Sequence, residues 1–427
     1  MEFNTTVLVA ILAAVMGYFT SSYWMKFFRK PPRVEGFFRP EFRPVAERFR
    51  KNMESGLESG GTFAAYVNGE LVVDMWGGFT DYELHHYWKN YTVGNVASVT
   101  KLVASITFAK LVDNGHVSYD KPVSDYWPEF AQNGKSQVTV RMLLSHQAGV
   151  IGLSVPLTPE MIRDDWERVE EILAEQKPLF EPGAGTAYHA YTFGLYIDAL
   201  ARKVDPKHRR LYQIFAEDIA EPFDIDFSIG LRKPEQYRVA RESRQSLFRQ
   251  LWDALSAPDY HRLVLSVIFR QNPLFEANNL SIKDADKPGK WDDPDSKEIP
   301  YCSGQGFGTA RSLAKLTGIL ANGGTYQGRQ LLSADVMDDL SSVAVSGYDM
   351  ALKRPVRRGS GVWIVKNPWG DDVFGHPGFG GQMSYVDRKN KVGLAYITNH
   401  FSVFSLGDDP RFRAMEEMFY RCVDSMP

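Results

Sequence analysis

Beta structure sits at both ends of this chain and is scarce in its middle, and that distribution limits the folds open to it. Residues 62–67 (Thr-Phe-Ala-Ala-Tyr-Val) and 70–76 (Glu-Leu-Val-Val-Asp-Met-Trp) flank Asn68-Gly69, the pair most favoured in two-residue hairpin loops. Four more β-rich runs, 361–365, 372–375, 382–387 and 392–398, come late and are punctuated by Gly, Pro, Asn and Asp. Between 116 and 300 the signals are mainly helical and loop-like: 138–145 leads into His146, 164–176 is charged and amphipathic, and 191–204 is more apolar. The stretch 260–269 fits neither period, and its apolar middle, 263–269, reads as core first, with a lid over a pocket or a membrane contact as the alternatives. An early hairpin and a late meander each need a partner to bury a face. The expected fold is therefore α+β: one antiparallel sheet assembled from both chain ends, flanked by helices, with a mainly helical subdomain inserted.

Chemistry is expected at the seam between those parts. Ser98-Val99-Thr100-Lys101 opens a mostly apolar run, 102–112, that closes at Asn114-Gly115. Leu102, Ile106, Ala109 and Val112 recur at helical spacing, and Gly after the last of them is a usual helix stop. Ser98 then lies at a helix start, beside backbone N–H groups and the positive end of the dipole, where an oxyanion is favoured. Lys101 is one turn along the same face, within reach of the Ser98 hydroxyl. That supplies a nucleophile and a base. The spacing Ser-x-x-Lys also occurs at Ser118/Lys121 and Ser312/Lys315. Ser118 falls in a loop between Gly115 and Pro122, whereas Ser312 opens a helix and rivals Ser98 on local grounds.

The 427 residues are enough for one large domain or two intimate ones, and the net charge of −3 with no basic block gives no nucleic-acid footprint. Two cysteines, Cys302 and Cys422, form neither a zinc spacing nor a disulfide framework. His-Glu-x-x-His, Gly-x-Ser-x-Gly and the phosphate-binding glycine loop are all missing. From Phe3 to Met25 no residue is charged, and 7–19 is nearly all apolar, approaching the roughly 20 residues of a bilayer span. The reading is a single-pass N-terminal membrane anchor over 1–25. Lys26, Arg29, Lys30 and Arg33 follow it, which by the positive-inside rule puts the bulk of the chain on the cytoplasmic face. Residues 26–36, with Pro31-Pro32, read as a stiff linker. Residues 37–427 form the remaining domain, with an α/β part at 37–112 and 301–427 and a mainly helical part at 113–300.

Five blocks of this sequence, in order, resemble the serine β-lactamase and penicillin-binding-protein superfamily, in its class C-like branch of esterases and eukaryotic β-lactamase-like proteins. They are 97–101 (Ala-Ser-Val-Thr-Lys), 140–149 (Val-Arg-Met-Leu-Leu-Ser-His-Gln-Ala-Gly), 181–190 (Glu-Pro-Gly-Ala-Gly-Thr-Ala-Tyr-His-Ala), 303–312 (Ser-Gly-Gln-Gly-Phe-Gly-Thr-Ala-Arg-Ser) and 374–381 (Phe-Gly-His-Pro-Gly-Phe-Gly-Gly). The likeness runs from about Phe37 to the C-terminus and implies a β-lactamase/transpeptidase-like fold. It puts Ser98 in the nucleophile block and Ser312 in a structural one. It further implies that Tyr188 relays a proton, that His376 faces the site, that the N–H groups of Ser98 and Phe379 form the oxyanion hole, and that Gly378 lets substrate approach the strand.

One position departs from the family pattern. The Tyr-x-Asn motif reads Tyr188-His189-Ala190 here, and alanine offers no amide to hold a polar acyl side chain, which counts against efficient β-lactam hydrolysis. What the resemblance implies is a serine hydrolase acting on small esters or amides through an acyl-enzyme, with no metal and no organic cofactor, and the N-terminal stretch adds the expected membrane anchor. A non-catalytic β-lactamase-like scaffold or filament-forming protein, and a D-amino-acid-type peptidase with the same catalytic group, stand as the other readings, and a homo-oligomer stays open.

Overall fold

The structure is a computed structural model that describes residue 17, residues 30–284, residue 287 and residues 289–426. Nine of its strands are used below: β1 (Val34–Phe38), β2 (Gly60–Val67), β3 (Glu70–Asp81), β4 (Val345–Asp349), β5 (Arg354–Arg358), β6 (Trp363–Lys366), β7 (Asp372–Gly378), β8 (Gln382–Asp387) and β9 (Val392–Thr398). Among the described residues they run in the order β1-β3-β2-β9-β8-β7-β6-β5-β4, and the short strand His86–Tyr87 on β3 makes ten. The turn between β2 and β3 is the expected one, with Asn68 at φ 52° and Gly69 at φ 81°. The two chain ends meet where β2 pairs antiparallel with β9, Ala64 opposite Ala395.

Alternation along the central strands sorts their side chains between two cores. Phe63, Ala65, Leu394 and Tyr396 pack with Val45 and Phe49 of helix α1 (Arg43–Glu54) and with Phe412 and Phe419 near the C-terminus. Ala64, Ala395 and Ile397 face the other way, into a cluster that continues through helix α2 (Thr100–Asp113) to helix α3 (Thr192–Val204). Two more helices, α4 (Leu247–Ser256) and α5 (Pro258–Ile268), follow in the middle of the chain, and α6 (Ala310–Ala321) and α7 (Pro410–Asp424) near its end. Helix α6 lies on β9 so closely that a Cβ at Gly393 would fall 2.1 Å from the Gly318 nitrogen. Only glycine permits that approach. Helix α2 is buried on every side from Thr100 to Ala109, which is why it carries no single apolar stripe.

Several local expectations change in the folded chain. The helix expected over 164–176 is interrupted at Asp165, giving helices Pro159–Asp164 and Trp166–Glu175, the second capped by the Asp165 carboxylate. The unplaced stretch 260–269 lies mostly within α5. Residues 34–38, read as the end of a linker and the edge of a domain, are β1, paired antiparallel with β3.

The expected membrane location is corrected. No helix among the described residues is long and apolar enough to cross a membrane. The stretch on which the anchor was placed, residues 1–25, lies outside the described residues except for Gly17. Its nearly apolar run, 7–19, is shorter than the roughly 20 residues that a span requires.

Candidate active site

The turn that presents Ser98 is braced from several directions. Strand Gly94–Asn95 pairs with Gly306–Gly308, and the chain then bends through Ala97, which sits at φ 46°. A left-handed alanine costs about 1–3 kcal/mol and persists only where its surroundings enforce it. Here the Asn95 carboxamide does so: its oxygen accepts from the Ala97 N–H at 2.7 Å, and its nitrogen donates to Gln305 at 2.9 Å. Ala97–Val99 form one 3-10 turn before α2 begins at Thr100. The Thr100 hydroxyl donates to the Ala97 carbonyl at 2.6 Å and accepts from the Gly306 N–H at 2.9 Å. Ser98 is thus fixed at the lip of α2.

Lys101 is wholly buried. Its Nζ donates to Ser98 Oγ at 3.1 Å and to the Ser303 carbonyl at 2.7 Å. Burial holds the Lys101 amine well below its ordinary pKa, and among the described residues no carboxylate pairs with it. Tyr188 is buried with its ring 5.2 Å from Lys101 Nζ. Burial raises its phenol, against a hydrogen bond with Ser98 and the nearby Arg358 guanidinium, which both lower it. Serine, lysine and tyrosine therefore form one connected group.

Three buried histidines stand round that tyrosine. His376, on β7, has its ring 5.9 Å from Tyr188, and its Nδ1–H donates to the Pro377 carbonyl at 2.6 Å. His146 is 5.1 Å from Tyr188, and its Nδ1 accepts from the His189 N–H at 3.1 Å. Burial first, and neighbouring cations second, keep His376 and His146 well below the usual imidazole range and push His189 down to about 3. Arg358 supplies a permanent cation over the Tyr188 ring at 5.6 Å, with Asp349 as its ion-pair partner at 2.6 Å. Its Nη1 also donates to Thr186 Oγ1 at 2.7 Å, two residues before the tyrosine.

Ser98, Tyr188, Ala190 and Phe379 line a cavity of about 610 Å³. Phe379 directly follows β7 and is half exposed, with its ring edge-on to Phe401 at 5.8 Å. Lys101, His376 and Gly378 are buried behind that wall. The room that Gly378 leaves is taken by the chain itself: a Cβ there would meet the Val96 carbonyl oxygen at 2.5 Å, so this glycine lets β7 close on the Ser98 turn.

The rival motifs are occupied elsewhere. Ser312 Oγ accepts from the Asp226 N–H at 3.0 Å, and Lys315 binds the Asp224 carbonyl at 3.1 Å. Ser118 Oγ accepts from the Asp120 N–H. The sequence reading did not single out Asn95, the Ser303 carbonyl, His146, His189 or the Arg358–Asp349 pair. All but Arg358 and Asp349 lie in or within a few residues of the matched blocks, so block membership was the available signal.

A buried Ser-x-x-Lys pair joined to a tyrosine at a cavity wall, on an antiparallel sheet interleaved with helices, defines a serine hydrolase of the β-lactamase/transpeptidase fold. The chain belongs to the β-lactamase family, whose model matches residues 45–415. It is 31% identical to the esterase/β-lactamase LipL of Mycobacterium tuberculosis over 371 residues, 86% of this chain and 83% of that protein. A family VIII carboxylesterase superposes with a TM-score of 0.81 at 33% identity, covering 91% of this chain and 100% of its own. A penicillin-binding-protein homologue from Caulobacter crescentus gives 0.77 at 32% identity, with 91% and 100% covered.

Proposed function

We propose that this serine hydrolase is an esterase that acts on small esters through an acyl-enzyme on Ser98. The observation that carries the reading is the hydrogen-bonded group of Ser98, Lys101 and Tyr188 at the wall of a largely apolar cavity. A lysine kept neutral by burial accepts the Ser98 proton as Oγ bonds to the carbonyl carbon. The N–H groups of Ser98 and Phe379 hold the oxyanion, a contribution worth roughly a hundred- to a thousand-fold in rate for each donor. Tyr188 passes the proton to the departing alkoxide. Water then cleaves the acyl-enzyme with the same base, releasing the acid and restoring Ser98. Ala190 at the cavity wall favours apolar acyl groups over those that need an amide partner.

The test is hydrolysis of p-nitrophenyl butyrate by the parent, Ser98→Ala and, as control, Ser312→Ala. Turnover should fall by about a thousand-fold or more in Ser98→Ala and persist in Ser312→Ala. A folded parent that works no faster than Ser98→Ala would refute the esterase reading.

A further inference from the structure

The walls of the Ser98 cavity divide by chemistry, and the division, taken with the esterase reading above, names the kind of ester. Beside Tyr188 the wall is apolar: Leu352 and Trp363 cluster with the tyrosine, and Ala190 and Leu406 pack against them. An acyl chain laid there loses no hydrogen bond and removes apolar surface from water. A second, charged part of the lining holds Glu242, Arg244, Lys287 and Lys290.

That second wall is built into the fold. Ser243–Arg244 is a short strand paired in parallel with His400–Phe401, and the Phe401 ring is the one that meets Phe379. Arg244 is thereby tied, through Phe401, to the residue assigned to the oxyanion hole. Lys287 is paired with Asp284 at 3.0 Å. Arg244 and Lys290 have no side-chain hydrogen bond or ion pair among the described residues. Setting aside Lys287 with its partner Asp284, Arg244 and Lys290 leave two cations against Glu242 in a chain of net charge −3, and a cleft with an excess of one sign of charge concentrates ligands of the other.

We propose that the preferred substrate is an amphiphilic ester whose acyl part is apolar and whose alcohol part carries an anionic group, met by Arg244 and Lys290. In the reaction the bond from acyl carbon to ester oxygen breaks as the Ser98 Oγ–carbon bond forms. The anionic alcohol leaves with the proton that came from Ser98, and water later frees the carboxylic acid. Glu242 modulates the preference. Burial and Asp292 push its carboxyl up to about 7, against Lys297 and Arg244, which pull it down. Below that pH the wall is more positive, and above it Glu242 offsets one cation.

The experiment compares two butyrates on each enzyme sample: p-nitrophenyl butyrate, and the butyrate of a nitrophenol bearing a ring sulfonate. The readout is the ratio of their kcat/KM values, in which losses of folded enzyme cancel. The parent should favour the sulfonate at low ionic strength, and added salt should shrink the preference. Arg244→Gln and Lys290→Gln should each lower the ratio about three- to ten-fold. The ratio should also fall as pH rises through about 7 in the parent and stay level in Glu242→Gln. A ratio that neither substitution nor salt alters overturns this inference while leaving the esterase reading intact. Failure of the parent on both esters would overturn the esterase reading and this inference with it.

Discussion

The molecule buries ionisable groups in two neighbouring places and treats them in opposite ways. Behind the turn that follows β7, Arg411 is paired with Asp409 at 2.7 Å and with Glu58 at 3.3 Å, and it donates to the carbonyls of His400 at 2.7 Å and Gly380 at 3.0 Å. Glu58 also accepts from Tyr396 and Thr398, and Asp409 from Ser402. Round Tyr188, by contrast, Lys101 and three histidines are buried with no carboxylate paired to any of them, the buried Asp349 nearby being taken up by Arg358, and both nitrogens of His189 and Nε2 of His376 find no partner among the described residues. Burial penalises charge equally in both places. Pairing keeps Arg411 charged in the first, even as burial lifts the Glu58 carboxyl to about 7, and its absence leaves bases neutral in the second. The first arrangement holds the Gly380 carbonyl in the turn after β7, and the second is what the proposed acyl-enzyme chemistry asks of Lys101.

The sharpest test of that contrast is to replace the central basic side chain of each cluster by methionine. Lys101→Met should lower kcat on p-nitrophenyl butyrate by about 10⁴-fold, the upper range for a lost general base, while leaving urea stability equal to or above the parent's, because no charge loses a partner. Arg411→Met should do the reverse in kind. It strands Asp409 and Glu58 in the core, and unfolding free energy should drop by about 3–5 kcal/mol. Equal stability losses in the two variants would break the comparison.

The same contrast marks what could be read from residues alone. The central sheet was legible because β2 and β3 flank an Asn-Gly turn and β6 to β9 are short apolar runs between breakers. The outer strands β1, β4 and β5 were not: Gly36 and Gly347 on the two edge strands, and Pro355 with the arginines of β5, which meets β6 at Arg358, suppress the β signal where pairing is one-sided. Ser98 and Lys101 share one helix turn, so local spacing brought them together. Tyr188, His376 and Phe379 came only through resemblance, since sequence distance hides which segments a fold gathers. The Ser303 carbonyl that holds Lys101 left no signal, because any residue type carries that group. Nor could hydropathy tell that Arg358 and Lys101 are buried.

The smallest effect concerns pH and rests on His189. Its side chain is fully buried, and its folded pKa is pushed down from 6.5 to about 3. In the unfolded chain the imidazole takes up a proton near its ordinary value, so below about 6.5 the unfolded state binds more protons than the folded one. Its stabilising contribution is thus complete above the unfolded pKa and is lost as pH falls toward the folded one. His189→Leu removes that proton uptake and keeps an apolar group of similar bulk in place. Between pH 6.5 and 4.5 the parent should lose about 2 kcal/mol more unfolding free energy than the variant, measured by urea denaturation at each pH. Parallel pH profiles for the two proteins would show that His189 has a proton partner in the folded state. The distinction between a paired and an unpaired buried cluster would then fail at this residue.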